Sequence, residues 1–388
     1  MNNYPTYKLG EVAEILDSFR KPINSTERTK RIQGKEEKEL YPYYGATGQV
    51  GLIDEYLTDG EYVLVGEDGA PFLEPFKNKS YIIQGKTWVN NHAHILSGKE
   101  NVSCNKYLCH FLNSFDYRGY VNGTTRLKLT QGNLVEIPIP LPPLATQRAI
   151  VTRIESLFAE LDKGVEKLKT AQQQLKVYRQ AVLNDCLTKG SEKWEKVKLG
   201  EVAEMCLGKM LDKNKNKGNY QPYLRNVNVR WGSFDLDDLL EMRFEDSEQE
   251  RYGLQNGDLI MCEGGEPGRC AIWNGEAQNM KIQKALHRIR LKPSVLNKYV
   301  YYLFYHYAQN GLLEKYFTGT TIKHLTGQSL KSIEIYLPSL PTQQRIVQEI
   351  ETRLSACDVM EKNINESLQQ AEALRQSILK KAFSGEQV

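Results

Sequence analysis

This 388-residue chain contains the residue types that perform chemistry, but their spacing matches no catalytic motif. Gly85-Lys86-Thr87 resembles the end of a phosphate-binding loop, yet Ser80 stands where the first glycine is required. His92 and His94 alternate on a predicted strand, and none of the six histidines lies at zinc-ligand spacing from a cysteine. We therefore expect a non-catalytic protein that needs no metal and no cofactor.

Basic residues of the second half of the chain predict contacts with a phosphate backbone. The segment 281–292 carries five basic residues and no acidic one. In a strand, Arg288, Arg290 and Lys292 share one face, which would place a basic row beside the phosphates. A loop rich in glycine and asparagine adds a second cluster, namely Lys209, Lys213, Lys215 and Lys217. The alternative for either cluster is an ordinary solvated surface.

Other residues in predicted loops have side chains that can read base edges or hold phosphates. Arginine pairs with guanine, and asparagine or glutamine pairs with adenine. Gly-Thr-Thr occurs at 123–125 and again at 319–321, and its amides and hydroxyls suit a phosphate, although an ordinary turn is the alternative. The predicted DNA-binding residues are Gln49, Asn91, Thr124, Thr125, Arg126, Lys209, Arg225, Asn226, Arg269, Lys284, Arg288, Arg290, Thr320, Thr321 and Lys323.

Two long helices are predicted to position these loops. Each follows a Leu-Pro-x-Leu-x-Thr-Gln sequence, at 141 and at 337, and Thr146 and Thr342 are the expected N-caps. Apolar residues then recur every seven positions, which predicts a narrow coiled-coil seam. The seam residues are Ile154, Leu161, Leu168, Leu175 and Val182 in the first helix, and Ile350, Cys357, Ile364, Ala371 and Ile378 in the second. Because neither helix has a core of its own, we expect the two to pair as an intramolecular, antiparallel coiled coil.

The chain is an internal duplication. Lys8-Leu9-Gly10-Glu11-Val12-Ala13 returns at 198–203, and the two Gly-Thr-Thr elements lie 196 positions apart. The fold predicted is α+β, with two mixed α/β segments and two long helices around an approximate two-fold axis. The expected boundaries are 1–143 for the first globular segment, 144–189 for the first helix, 190–339 for the second segment and 340–388 for the second helix. Strands are expected at 61–66, 81–83, 94–96 and 257–262, and short helices at 106–113 and 299–310.

Composition limits the class of protein. No run of about 18 apolar residues is present, and the first residues lack the charged and apolar pattern of a signal peptide. A cytosolic protein with reduced cysteines is therefore expected. The formal net charge is only +3, so any binding to nucleic acid has to come from local patches.

The order of the motifs, repeated twice, resembles the DNA-specificity subunits of type I restriction–modification systems. The residues that carry the resemblance are Lys-Leu-Gly-Glu-Val-Ala at 8 and 198, Gly-Glu-Tyr-Val-Leu-Val-Gly-Glu-Asp-Gly at 60–69, Gly-Asp-Leu-Ile at 257–260, the Gly-Thr-Thr elements, the two helix openings and Ala382-Phe383-Ser384-Gly385. The resemblance implies two target recognition domains, each reading half of an asymmetric bipartite DNA site. It also implies a helical spacer that sets the gap between the half-sites.

The resemblance further implies binding to two modification subunits, which methylate adenine from S-adenosylmethionine, and through them to ATP-dependent restriction subunits. One alternative is the specificity subunit of a related type IIB-like or phage-defence methyltransferase complex. Another is a coiled-coil scaffold that binds no DNA, and a third is a methyltransferase or nuclease whose catalytic site has no recognisable motif.

Overall fold

The computed structural model describes residues 4–212 and 214–384, so Lys213 of the predicted basic cluster and Gly385 of the closing motif lie outside the described residues. The chain divides into two compact units. Unit 1 comprises Met1–Thr170 and Ile364–Val388, and unit 2 comprises Ala171–Asn363. The division falls within the two long helices, so each helix contributes one part to each unit.

In the first half of the chain, strands and helices alternate irregularly and end in the first long helix. The strands are β1 Thr6–Lys8, β2 Ala13–Ile15, β3 Tyr41–Gly45, β4 Gly48–Ile53, β5 Thr58–Gly66, β6 Ser80–Val89, β7 Ala93–Gly98, β8 Val121–Asn122, β9 Lys128–Leu129 and β10 Pro138–Pro140. The helices are α1 Leu9–Val12, α2 Ser25–Ile32, α3 Asn105–Ser114, α4 Gln131–Val135 and α5 Leu144–Thr188.

The second half repeats this plan with shorter strands. The strands are β11 Glu195–Lys198, β12 Ala203–Leu207, β13 Asn219–Leu224, β14 Val229–Arg230, β15 Ser233–Phe234, β16 Leu240–Phe244, β17 Leu259–Cys262, β18 Cys270–Ile272, β19 Lys281–Ile282, β20 Leu286–Leu291 and β21 Glu334–Leu337. The helices are α6 Leu199–Val202, α7 Gln249–Tyr252, α8 Asn297–Gln309, α9 Gly327–Lys331 and α10 Leu340–Ser384.

In unit 1 a six-stranded sheet, in the order β2-β7-β5-β6-β3-β4, packs against α3. The strands alternate in direction except for β3 and β6, which run parallel. Alternate residues of β5, Val63 and Val65, face Leu108 and Leu112 of α3, and all four are buried. The helix turns its apolar stripe onto the sheet because its own polar face can stay in water.

In unit 2 the same region is split into two smaller sheets, β12-β20-β17-β18 and β16-β13-β19. The core repeats that of unit 1, with Leu259 and Met261 of β17 packed in one cluster with Leu303 and Phe304 of α8. The parallel pairing of β13 with β19 corresponds to that of β3 with β6.

Helices α5 and α10 run antiparallel wherever they meet within a unit. In unit 1, Ile154 packs with Ile378 and Ala382 in a buried cluster. Arg179 of α5 pairs with Asp358 of α10 at 2.7 Å in unit 2. The predicted mixed fold with two long pairing helices is confirmed.

The predicted N-caps are wrong, because both long helices begin two residues earlier, at Leu144 and Leu340. The amide of Thr146 donates to the carbonyl of Pro143 at 2.8 Å, so this threonine already lies inside the first turn. The glutamine that follows it anchors the helix instead. Gln147 is fully buried, accepts from the amide of Cys104 at 2.9 Å and donates to the carbonyl of Pro142 at 2.8 Å.

Gln343 makes the corresponding bonds in unit 2, to the amide of Leu296 at 2.7 Å and the carbonyl of Pro338 at 2.9 Å. A buried amide side chain must satisfy its donors and acceptor, and these backbone groups do so. None of the helices in residues 4–212 and 214–384 combines the length and apolar character that a membrane crossing requires.

Candidate nucleic-acid interface

Three loops of unit 1 are held together by backbone hydrogen bonds. The loop after β5 donates from Gly69 to the carbonyl of Leu127 at 3.1 Å and accepts at Glu67 from Leu129 at 2.7 Å. The amide of Glu67 donates to the carbonyl of His92 at 2.7 Å. We call residues 66–70, 90–92 and 123–128 the first loop cluster. Its members come from distant parts of the sequence, yet the backbone fixes them beside one another.

A chain of polar side-chain contacts at the surface of this cluster positions Arg126. Its guanidinium donates to Oδ1 of Asp68 at 2.8 Å, and the same oxygen lies 2.7 Å from Nδ1 of His92. The Arg126 side chain is 61% exposed. One edge of the guanidinium is therefore oriented by the protein, while its other N–H groups remain open to an acceptor.

Beneath the surface, Glu67 anchors the cluster to the sheet. It pairs with Arg20, and its other oxygen lies 3.0 Å from Nζ of Lys128. Burial raises the pKa of Glu67, but the hydrogen bonds from Arg20 and Lys128 outweigh it and hold the pKa below its ordinary value. Buried His94 lies below this pair, with Nδ1 2.7 Å from Asp17 and Nε2 2.9 Å from the carbonyl of Leu129.

Unit 2 repeats the frame of hydrogen bonds. Leu325 donates to the carbonyl of Glu263 at 2.8 Å, and Glu263 donates to that of Ala285 at 2.9 Å. His287 is buried and its Nε2 lies 2.8 Å from the carbonyl of Leu325, as His94 does beneath Leu129. We call residues 225–230, 263–269, 283–285 and 318–324 the second loop cluster.

The two Gly-Thr-Thr elements form the same tight turn. Gly123 has a φ of +104° and Gly319 a φ of +89°, values that residues with a side chain rarely adopt. A Cβ atom at Gly123 would lie 2.5 Å from the carbonyl oxygen of Arg126, and one at Gly319 would lie 2.2 Å from that of Ile322. The glycines are therefore required by the turn itself, and the threonines are presented at its surface.

One position of this turn differs between the units. Arg126 in the first corresponds to Ile322 in the second, at the offset of 196, and the two are 61% and 64% exposed. The same backbone thus presents a planar cation in one unit and an apolar side chain in the other.

The predicted contacts of the first half lie at or beside the first loop cluster. Asn91, Thr124, Thr125 and Arg126 belong to it and are exposed. Gln49 is exposed at the start of β4, where its Nε2 donates to the carbonyl of Gly51 at 3.2 Å. The β3–β4 hairpin adjoins the cluster, because the amide of Asn90 donates to the carbonyl of Tyr44 at 3.1 Å. The structure thus brings all five residues to one region.

The predicted contacts of the second half separate into exposed and engaged residues. Those exposed on the second loop cluster are Lys284, Thr320, Thr321 and Lys323. Arg225 is paired with Asp238 at 2.7 Å. Arg269 is paired with Glu266 at 2.6 Å and also donates to the carbonyl of Asn226 at 2.9 Å. These two arginines are half-buried and arrange the loops, with fewer donors left for DNA.

Of the predicted basic row, Arg288 and Arg290 of β20 are engaged inside unit 2, whereas Lys292, directly after the strand, is exposed. Arg288 is 1% exposed and donates to Glu204 at 2.7 Å and to the carbonyls of Glu250 and Gly253 at 2.9 and 3.1 Å. Arg290 makes a two-point pair with buried Asp258, with both distances 2.8 Å. The two arginines share one face of the strand, as predicted, but that face is covered by other parts of unit 2.

The structure also corrects the prediction that Lys209 is exposed to DNA. Its side chain is 9% exposed, pairs with Glu248, donates to the carbonyl of Arg243 at 3.0 Å and lies over the ring of Phe244. A buried ammonium needs such partners, so this lysine stabilises unit 2 and is unavailable to DNA in this structure.

Sequence reasoning missed Asp68, His92, Lys128 and His324, which complete the two clusters. Asp68 lies two residues after the predicted strand at 61–66, and Lys128 and His324 are related by the same offset of 196. For Lys128 and His324, that repeat is the signal that could have identified them. Within residues 4–212 and 214–384 no three His, Cys, Asp or Glu side chains are grouped so as to hold a metal ion.

Comparison with known proteins agrees with this architecture. The family model for the type I restriction modification DNA specificity domain matches residues 1–170 and again 191–370. The chain belongs to this DNA specificity family. The two matches correspond to the two halves of the duplication.

Two relatives illustrate the family. The chain is 32% identical over 350 residues to a Haemophilus influenzae protein assigned as a type I restriction enzyme specificity subunit, covering 87% of this chain and 84% of that one. It is 29% identical over 301 residues to the EcoKI specificity subunit of Escherichia coli, covering 72% of this chain and 65% of the relative.

Two solved structures share the fold. The HsdS subunit from Thermoanaerobacter tengcongensis superposes with a TM-score of 0.62 at 17% identity, covering 100% of this chain and 98% of that one. A chain from a structure of a type I restriction–modification system gives a TM-score of 0.72 at 18% identity, covering 100% and 99%.

Proposed function

We propose that this chain is the DNA-reading subunit of a type I restriction–modification complex, and that each loop cluster reads one half of an asymmetric bipartite site. The observation that carries the proposal is the shared turn at 123–126 and 319–322. An invariant frame that presents Arg126 in one unit and Ile322 in the other is what two readers of different sequences require.

The chemistry of the two side chains favours different bases. A guanidinium can donate to O6 and N7 of guanine, whereas an apolar side chain contacts the methyl group of thymine. Arg126 is suited to the first contact because Asp68 fixes its orientation. The exposed threonines of each turn are suited to phosphates, which set the register without reading sequence. Lys284 and Lys323 would add to the phosphate contacts of the second half-site.

The long helices are proposed to be the spacer that sets the gap. Each has 45 residues, which at a rise of ~1.5 Å per residue gives a rod of ~68 Å. Their pairing is reciprocal, because Arg179 of α5 pairs with Asp358 of α10, and Arg375 of α10 pairs with Asp162 of α5. Inserting four residues in one helix should change the preferred gap and leave both half-sites unchanged. A changed half-site would contradict the spacer role.

Methyl transfer and restriction are assigned to partner subunits. Exposed faces of the helices would bind two modification subunits, which transfer a methyl group from S-adenosylmethionine to adenine, and restriction subunits would join through them. The chain itself would contribute recognition and no catalysis.

The test is to map adenine methylation across the genome with the gene, without it, and with Arg126→Gln. We expect one gapped motif to lose methylation on deletion and Arg126→Gln to alter only one half of that motif. Arg118→Gln is the control, because Arg118 is exposed and paired with Asp116 outside the loop cluster. If no motif depends on the gene, the DNA-reading role is wrong and a scaffold role is favoured.

A further inference from the structure

Arg28 differs from the other arginines of the first globular segment. Residues 4–143 contain five arginines, and four of them pair with carboxylates, namely Arg20, Arg31, Arg118 and Arg126. Within residues 4–212 and 214–384, Arg28 forms no ion pair with a carboxylate, and its guanidinium donates no hydrogen bond.

The guanidinium is nevertheless held in place. Its central carbon lies 4.6 Å from the ring centroid of Tyr43, a cation–π contact. A Cβ atom at Gly51 would lie 3.3 Å from that carbon and 3.5 Å from both terminal nitrogens, so the guanidinium lies flat over this glycine. Tyr43 and Gly51 are directly opposed in the β3–β4 hairpin. The missing side chain at Gly51 leaves the space that Arg28 fills.

Helix α2 presents Arg28 to the hairpin. The helix begins after Asn24, whose Oδ1 accepts from the amide of Glu27 at 2.8 Å, and the amide of Arg28 bonds to the carbonyl of Asn24 at 3.0 Å. The position is therefore in the first turn of a capped helix and is ordered before any ligand arrives.

The placement of Arg28 connects it with the first loop cluster. The same hairpin carries Gln49, whose amide bonds to the carbonyl of Gly51, and it adjoins the cluster through Tyr44 and Asn90. A half-buried guanidinium with its face covered and its donors unpaired offers its edge to an acceptor from outside the chain. An arginine that merely served the fold would be expected to pair as the half-buried Arg20 and Arg31 do.

We propose that Arg28 is a further DNA contact of unit 1, donating from its guanidinium edge to the half-site that this unit reads. This inference rests on the proposed function. The acceptor is either an anionic phosphate oxygen or the guanine edge, where the carbonyl oxygen O6 and the ring nitrogen N7 both accept.

The contact is particular to unit 1. In unit 2 the residues between β12 and β13, as far as 208–212 and 214–218 describe them, form no helix corresponding to α2. The effect of changing Arg28 should therefore be confined to one half-site, which separates it from a general loss of positive charge.

The experiment uses the full chain assembled with its modification subunits and a duplex that contains the site found by methylation mapping. Binding is measured by fluorescence anisotropy across a range of salt concentrations for the wild type, Arg28→Gln, Arg28→Lys and the control Arg118→Gln. We expect Arg28→Gln to bind about 5- to 150-fold more weakly and Arg118→Gln to bind as the wild type does.

The lysine variant and the salt dependence identify the acceptor. If it is a phosphate, Arg28→Lys keeps most of the affinity, and Arg28→Gln lowers the slope of log K against log salt by about 1. If it is guanine, Arg28→Lys stays weak and Arg28→Gln relaxes preference at one base position. Either result supports the contact.

Unchanged affinity, salt slope and base preference in Arg28→Gln would overturn the inference. Failure of the wild-type complex to prefer its mapped site would instead overturn the proposed function. Melting curves of all variants show whether folding is retained, and Arg28→Lys supplies a second variant that preserves the stacked cation.

Discussion

Breaking the pair that Arg290 forms with buried Asp258 tests whether Arg290 stabilises unit 2. The sequence predicts Arg290 to contact DNA, but in the structure this pair engages it. Asp258 is 1% exposed and accepts from Arg290 at both oxygens, and from the amide of Gln255 at 2.8 Å. The hydrogen bond to Asp258 raises the pKa of Arg290 above its ordinary value. Replacing Arg290 by Met would leave a buried carboxylate with a single hydrogen-bond donor.

The loss in the free energy of unfolding caused by Arg290→Met can be bounded from the exposure of the two partners. Breaking a buried ion pair by removing one partner costs about 3–5 kcal/mol. The Arg290 side chain is 24% exposed, so water can reach the site once it is shortened, and we expect about 3 kcal/mol. At 2–4 °C per kcal/mol for a unit of this size, the melting temperature of unit 2 should fall by roughly 6–12 °C.

Adding Asp258→Asn to Arg290→Met should recover part of the loss, because the double variant no longer buries an unpaired charge. The control is Arg230→Met, which removes an arginine that is 50% exposed and pairs with Asp235 at 3.2 Å, where a loss below about 1 kcal/mol is expected. Calorimetry measures the transitions, and hydrogen exchange of Leu259–Cys262 locates the change in unit 2.

The reasoning would be refuted if Arg290→Met left the unfolding of unit 2 and the exchange of Leu259–Cys262 unchanged while DNA binding weakened and its salt slope fell by about 1. That pattern would restore Arg290 as a phosphate contact.

Two further predictions concern the second loop cluster. Burial lowers the pKa of His287, and its bond to the carbonyl of Leu325 offsets this only in part, so the unfolded chain binds the proton more readily. The contribution of neutral His287 to the free energy of unfolding should be fully present above about pH 6.5 and be lost as the pH falls towards the lower folded pKa. His287→Gln should therefore make the melting temperature less dependent on pH in this range. Gly319→Ala should weaken recognition of one half-site in a DNA-binding assay, since its Cβ would lie 2.2 Å from the carbonyl oxygen of Ile322. Gly275→Ala is the control, because Gly275 has a similar positive φ but no atom within 4 Å of such a Cβ, so only the backbone cost applies there. Equal effects of the two substitutions on binding would contradict the close-contact argument.

The regular elements were predictable because their signals are local and repeated. The seven-residue period predicted both long helices, and a buried apolar run predicted the core strand Thr58–Gly66 from residues 61–66. The N-cap of each long helix was assigned wrongly because the preference for threonine was weighed without the carbonyl of Pro143 or Ser339, to which the threonine amide donates. Gln147 could not be recognised as the anchor, since its partner Cys104 lies 43 residues away.

The candidate site was predictable in part for the same reason. Exposed loop residues such as Thr124 and Thr320 follow from a repeated glycine turn, which is a local signal. Strand alternation placed Arg288 and Arg290 on one face, but alternation does not tell which face is covered. That depends on Glu204, 84 residues from Arg288, and on Asp258, 32 residues from Arg290.

The role of a cation in this protein is therefore decided by its partners and not by the charge of its sequence neighbours. Segment 281–292 has no acidic residue, yet its arginines are neutralised from elsewhere in unit 2. Arg28 follows Glu27 in sequence and still finds no carboxylate, because helix α2 turns it onto Tyr43. A protein with a net charge of only +3 can bind a polyanion if it pairs most of its arginines internally and leaves a few oriented and unpaired where the ligand docks. We propose that Arg28 and the partly open edge of Arg126 meet that requirement in unit 1.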